Sequence, residues 1–372
     1  MRYLSVAASA IAVAAGGVQA GGLDRSGTPI DIIFEQGNYA ELSLGYVTPD
    51  LTGSDLLGNS ISNVGNDFTV FGGALKLDFS ERLSFAVIVD EPYGADVEYG
   101  GSPTTTLLGT TMAEAESFGI TTLLKYKATD RISVYGGPRV VSAEGEITLG
   151  GLAYGSLNGY NVNFDSDQGV GVVAGAAYEI PDIAFRASLT WHSEVDLKMR
   201  TIEAFPAAPG VAGPGGITGN TPVALPQSFK LAVQSGVARN TLVFGSIRWS
   251  EWEVFTLDPP SPAPNLAQLD NSVTYEIGVG RRFTDKLSAS LSYTYESGGS
   301  DDLVSPLAPT DGSQAISVGA KYEINDMIDI SGGVRYTLLG DSRPETGTPD
   351  TPRGTFNNND AFSVGLKLGV HF

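Results

Sequence analysis

The 372-residue chain contains no cysteine and only two histidines, His192 and His371. The first absence excludes a disulfide framework and thiolate metal centres. Long apolar runs are also missing. Residues 4–18, LSVAASAIAVAAGGV, form the one extended stretch, and it falls short of the ~20 residues that a membrane-spanning helix needs. With Arg2 before it and Val18-Gln19-Ala20 after it, the stretch reads as a secretory signal over residues 1–20, cut after Ala20, rather than as an anchor. Positive charge is scarce: 22 Lys and Arg stand against 42 Asp and Glu, a net of -20. A nucleic acid needs a basic face, so it is excluded as a partner. No phosphate-cradling loop, nucleotide fingerprint or paired metal ligands appear, and no cofactor is expected. One absence is local. From Ala204 to Phe229 no residue is charged, although acids crowd the other long loops.

What the chain has is glycine, 47 residues of it, and a repeated period of two. Segments of about ten residues alternate apolar and polar side chains, the pattern of a strand with two unlike faces. They begin with NYAELSLGYV (38–47), FGGALKLDF (71–79) and LSFAVIVD (83–90) and end with SVGLKLGVHF (363–372). The clearest is IAFRASLTWHSEVDLKM (183–199). Read as one strand, it puts Leu189, Trp191, Val195, Leu197 and Met199 on one face and Arg186, His192, Glu194, Asp196 and Lys198 on the other. Fourteen such segments can be counted. Short polar turns such as FSER, ATDR and FTDK join them alternately with long loops near 49–66, 91–113, 143–167, 200–226, 252–271, 297–313 and 340–359.

Short turns on one side, long loops on the other and an even strand count describe an outer-membrane barrel. The expected fold is all-β: a 14-stranded antiparallel transmembrane β-barrel over residues 38–372, preceded by a short N-terminal plug segment, 21–37. A soluble sandwich or propeller would not need strict short–long alternation. Phe372 would close the last strand facing lipid, as an aromatic signal for barrel-assembly machinery, and the barrel is expected to be a monomer. Trp191, Trp249 and Trp252 fit interfacial girdles, although some could line a pocket.

Several stretches resemble the long-chain fatty acid transporter (FadL/TodX) family: GNYAELSLGYVTPDLTG, FSERLSFAVIVDEPYGADVEY, YKATDRISVYGGPRV, YEIPDIAFRASLTWHSEVDLKMR and LPQSFKLAVQSGVARNTLVFGSIRWSEW, in pieces over residues 38–372. The family's Asn-Pro-Ala stretch is missing, and only 21–37 precedes the first strand. The resemblance implies bacterial outer-membrane uptake of long-chain fatty acids or other hydrophobic small molecules. External loops would capture ligand, a lumen pocket would hold it, and a kink in the third strand would release it sideways into outer-membrane lipid.

On that reading Asp90, Glu91, Pro92, Tyr93 and Gly94 form the bend, since proline cannot donate to a ladder and glycine relaxes the backbone. Phe205, Val211, Ile217 and Leu225 of the uncharged loop would capture ligand. Lumen-facing cations expected are Lys76, Arg139, Arg186, Lys198, Lys230, Arg248, Lys321, Arg335 and Lys367, with Asp90, Glu194, Asp196 and Glu276 to balance them. Arg139, Lys230 and Arg248 are the candidates for a ligand carboxylate. The alternatives are a general diffusion porin and a barrel lipase. The lipase fares poorly: of the residues around His192, only Ser188 and Thr190 share its face, and no triad assembles. No enzyme activity and no metal are expected.

Overall fold

An alternating strand in lipid has no water to satisfy its backbone, so both of its edges must be paired. The computed structural model, which describes residues 23–205, 216–260, 265–267, 269–347 and 349–372, meets that demand by closing on itself. In chain order the wall strands are β1 (Tyr39–Asp50), β2 (Phe68–Asp78), β3 (Leu83–Asp90, resuming as Gly94–Glu98), β4 (Met112–Lys127), β5 (Ile132–Leu149), β6 (Tyr160–Ile180) and β7 (Phe185–His192, resuming as Val195–Ala204). They continue with β8 (Ile217–Leu225, resuming as Ser228–Ala238), β9 (Thr241–Ser250), β10 (Ser272–Arg282), β11 (Leu287–Glu296), β12 (Ser313–Glu323), β13 (Ile328–Leu339) and β14 (Asp360–His371). Each pairs antiparallel with its neighbours, and β1 meets β14 from Tyr39↔His371 to Asp50↔Asp360, which closes the fourteen-stranded barrel.

Odd–even parity separates the two surfaces. Leu42, Leu44 and Tyr46 of β1, Phe118, Ile120 and Leu124 of β4, and Leu366 and Leu368 of β14 are exposed on the outside. On the same strands Val47, Thr121, Lys125 and Ser363 are buried inside. Among the described residues, no helix is long and apolar enough to cross a membrane. The expected secretory leader, 1–20, lies outside the described residues.

Three strands are broken, and each break inverts the parity. Asp90 and Tyr93 of β3, His192 and Val195 of β7, and Leu225 and Ser228 of β8 are all buried. An unbroken strand would put residues three apart on opposite faces. This corrects the straight-strand reading of 183–199. Beyond the break at Ser193–Glu194, the side chains of Val195, Leu197 and Met199 turn inward, to 3–4% exposure, while Glu194, Asp196 and Lys198 lie on the outside. The upper half of β7 thus gives its apolar face to the lumen.

The segment ahead of β1 lies within the barrel. Ile30, Ile32 and Ile33 pack on the inward side chains Ala86, Ile88, Leu123, Tyr135 and Val173. Each buried isoleucine is worth roughly 1.5–3 kcal/mol. The Phe34 ring carries the Arg186 guanidinium 4.2 Å from its centroid and Lys125 Nζ at 5.1 Å, with Tyr135 edge-on at 5.5 Å.

Candidate functional site

The break in β3 begins with a missing donor. Pro92 offers no N–H, and the β2–β3 ladder ends at Gly73↔Val89. The wall is joined again only at the isolated bridge Gly65↔Val97. Above the break β3 pairs with β4 alone, from Gly94↔Glu116 to Glu98↔Met112. Two other elements occupy the interval. Residues 23–25 run beside the bend, with Arg25 N–H donating to Pro92 O at 2.9 Å and Gly94 N–H to Leu23 O at 2.8 Å. Glu91 Oε2 accepts the Phe71 N–H of β2 at 3.1 Å. The Arg25 guanidinium lies 4.3 Å from the centroid of Phe68 and against the Cα of Gly94, so any side chain at position 94 would displace it. The interval between β2 and β3 is therefore occupied by the backbone of residues 23–25, bridged to Tyr93, and by side chains rather than by a direct β2–β3 ladder.

Inside the bend lies a charged cluster. Arg139 Nη2 is 3.8 Å from Asp90 Oδ2, and the same carboxylate oxygen accepts from Ser26 Oγ at 2.6 Å. Arg248 Nη1 is paired with Asp24 Oδ2. Thr190, Lys230 and Arg248 are cross-strand neighbours in adjacent strands, and His192 is buried on the same face as Thr190. Several polar atoms in this group have no hydrogen-bond partner: Arg139 Nε and Nη2, Arg248 Nε and His192 Nδ1 are buried and unbonded. Arg139, Arg248 and Lys230 stand with Asp90 and Asp24, and the buried Glu296 also acts on Arg248. A buried guanidinium with unmade hydrogen bonds is costly unless something supplies an acceptor.

Against this cluster stands the largest apolar assembly of the molecule's interior. Tyr93, Val141, Tyr160, Phe164, Val195, Leu197, Met199, Val223, Leu225 and Trp252 belong to it. Tyr93 joins the two zones, with its ring 5.9 Å from the Arg139 guanidinium and 5.5 Å from the Trp252 ring. Trp252, expected in a girdle, is instead 1% exposed in this cluster, because the turn Trp252–Val254 carries it off the wall over the lumen. Trp191 and Trp249 flank Phe229 at ring distances of 6.4 and 6.0 Å.

The uncharged loop is divided. Phe205 packs on Tyr160 at 5.1 Å, and Leu225 is 4% exposed within the apolar cluster. Ile217, cross-strand from Glu203 and in phase with the inward Val223 and Leu225, is 49% exposed and not part of it, since it lies at the outer end of β8. Val211 lies outside the described residues. The remaining expected lumen cations have partners near the other end of the barrel: Lys76 with Asp78 at 2.6 Å, Arg186 with Asp31 at 3.7 Å, Lys321 with Asp329 at 3.1 Å and Lys367 with Glu41 at 3.1 Å. Arg335 Nε points to Thr337 Oγ1 at 3.4 Å. His192 meets no nucleophile–base–acid arrangement, and the Thr190 hydroxyl is engaged with Tyr135 OH at 2.7 Å. Among the described residues no three His, Cys, Asp or Glu side chains converge as metal ligands.

Sequence reasoning overlooked Asp24, Arg25 and Ser26 as partners of the bend, and His192 as an unbonded buried group beside the cations. The lone interior histidine was the available signal for the second. For the first there was none, because a tertiary contact across the lumen leaves no local pattern.

The family model described as outer membrane protein transport protein (OMPP1/FadL/TodX) matches residues 37–366. Among solved structures, a FadL homologue of Pseudomonas aeruginosa superposes with a TM-score of 0.74 at 16% identity, over 92% of each chain. The toluene transporter TodX of P. putida gives 0.67 at 15% identity, again over 92% of each chain. The toluene transporter TbuX of Ralstonia pickettii gives 0.65 at 15% identity, over 91% of this chain and 90% of the other. No curated protein sequence matches significantly.

Proposed function

The chain belongs to the outer membrane transport protein family (OMPP1/FadL/TodX), and on that premise we propose that it carries long-chain fatty acids passively across the outer membrane, with release through the β2–β3 gap. It is an outer-membrane channel for hydrophobic molecules and not an enzyme; the acid headgroup and the sideways exit are the specific parts of the proposal. One observation carries it. The Arg139 guanidinium is buried beside the apolar cluster with Nε and Nη2 unbonded, next to the equally unbonded Arg248 Nε and His192 Nδ1. A carboxylate on an acyl chain supplies acceptors for the guanidinium donors, and the chain supplies apolar surface for the cluster. A purely hydrocarbon ligand such as toluene, which TodX and TbuX are described as transporting, would leave them unmet.

In this reading Phe205 and Tyr160 stand at the outer end of the path and Leu225, Val195 and Tyr93 line it. Arg139, Arg248 and Lys230 hold the headgroup. Residues 23–25, pinned to the bend, are the obstacle that must move before ligand passes between β2 and β3. The ligand moves down its own gradient, and no bond is made or broken. A general diffusion pore fits poorly with a lumen occupied by the isoleucines of 30–33 and by the apolar cluster.

Purified protein is expected to bind a fluorescent fatty acid, to pass little ionic current, and to lose acyl uptake in G94R while that variant still inserts as a barrel. Uptake by G94R at the native rate would remove the lateral exit. Failure to bind the acid would remove the ligand assignment.

A further inference from the structure

At the outer end of β7, Glu203 is fully buried. It shares the inward face of β7 with Leu197 and Met199 and lies cross-strand from Val162 of β6. The Tyr160 hydroxyl donates to its Oε2 at 2.7 Å. Its Oε1 is buried with no hydrogen-bond partner. No lysine, arginine or histidine forms an ion pair with it among the described residues, while buried Thr201 and Thr221 share an oxygen contact of 3.3 Å close by. A buried carboxylate with one oxygen unmet is among the more costly arrangements a protein can hold. The apolar neighbours Tyr160 and Val162, with Phe205 packed on the Tyr160 ring at 5.1 Å, make this a greasy recess with a single strong acceptor.

We infer that Glu203 is a polar subsite for hydrophobic ligands that carry a neutral O–H donor, an alcohol or a protonated carboxyl group. The class follows from the chemistry of the recess. A carboxylate accepts only, so it rejects an ionised acid and rewards a donor. An ammonium would satisfy it too, but the path then leads to Arg139, Arg248 and Lys230, which repel a cation. A hydroxyl suits both stations, because it donates at Glu203 and accepts from the cations. An acid would pass Glu203 in its protonated form and reach the cations as carboxylate. The inference rests on the path proposed above, with Glu203 as its outer checkpoint.

The test compares two probes of equal length, dodecanol and its methyl ether, by displacement of a fluorescent fatty acid from the purified detergent-solubilised barrel. In the native protein the alcohol should bind roughly tenfold more tightly, the size expected of one charge-assisted hydrogen bond. Glu203→Leu should erase that preference and leave the ether at least as tight as before. Glu203→Gln, which keeps the shape and a weaker acceptor, should fall between them and guards against misfolding of the leucine variant. Equal binding of alcohol and ether by the native protein overturns the inference, as does a preference that survives Glu203→Leu. If the fluorescent acid binds in an Arg139-dependent manner while the alcohol shows no advantage, the subsite alone fails. If the acid does not bind, the transport reading fails with it.

Discussion

Asp24 and Arg248 stand 224 positions apart in sequence and form a buried ion pair inside the barrel. The pair ties the segment ahead of the first strand to β9, beside the bend in β3. Because both groups are out of water, removing one partner leaves the other uncompensated, at a typical cost of about 3–5 kcal/mol. Asp24→Asn should therefore lower the unfolding midpoint of the empty protein in detergent. A bound fatty acid supplies the missing carboxylate, so the variant should recover more stability on adding ligand than the native protein does. Unfolding scans with and without ligand check this. An equal ligand response in both would show that Asp24 and the ligand do not share Arg248.

Arg139 should matter to the headgroup and not to the acyl chain. Hydrogen bonds to charged groups are worth about 1.5–3 kcal/mol. Arg139→Met is thus expected to weaken binding of a long-chain acid by roughly 10- to 150-fold and that of its methyl ester by less than about threefold. Asp90→Asn in the same chain should restore stability lost through the orphaned carboxylate without restoring affinity. Titration of acid and ester against both variants is the check.

The inverted parity of β7 is open to a clean chemical test, since the native chain has no cysteine to interfere. Val195→Cys should resist a membrane-impermeant maleimide, while Asp196→Cys should react readily, because Val195 is 3% exposed and Asp196 faces out. The reverse order of reactivity would restore the straight strand.

The external loops hold a titrating contact of their own. Hydrogen bonding from Arg343 holds the Asp302 carboxyl below its ordinary range. A depressed carboxyl contributes stability that is complete above its unfolded value near ~3.9 and is lost as pH falls through the lower folded value. The contact between the loops around 302 and 343 should thus be intact at neutral pH and loosen only in strong acid. Asp302→Asn should mimic the acid state at pH 7. Proteolysis within residues 297–304 should be faster in that variant than in the native protein at neutral pH, and an unchanged rate would show that the pair does not secure the loop.

Much of the architecture was legible in the residues because lipid imposes a strict code. Leu42, Leu44 and Tyr46 face out for the same reason that they alternate with polar neighbours, and the short turns and long loops mark the two ends. The pocket was much less legible. Val195, Leu197 and Met199 read as lipid-facing because phase can be followed only while a strand is unbroken. At Ser193–Glu194 a single break reversed it and carried Lys198 to the outside. Trp252 read as a girdle residue because nothing local shows that a turn lifts it over the lumen. The position of Arg139 in the lumen followed from parity, and that of Arg248 less plainly because both faces of β9 carry apolar residues, whereas their partners Asp90, Asp24 and Ser26 depend on how the leading segment threads the barrel, which no period encodes.

The most direct measurement is a crystal structure of the protein with a long-chain fatty acid bearing bromine at its methyl end. The expected result is an anomalous peak among Tyr93, Val195, Leu225 and Trp252, with the carboxylate within hydrogen-bond distance of Arg139 and Arg248. A lumen without ligand, or an acid whose headgroup lies away from both arginines, would contradict the proposed path.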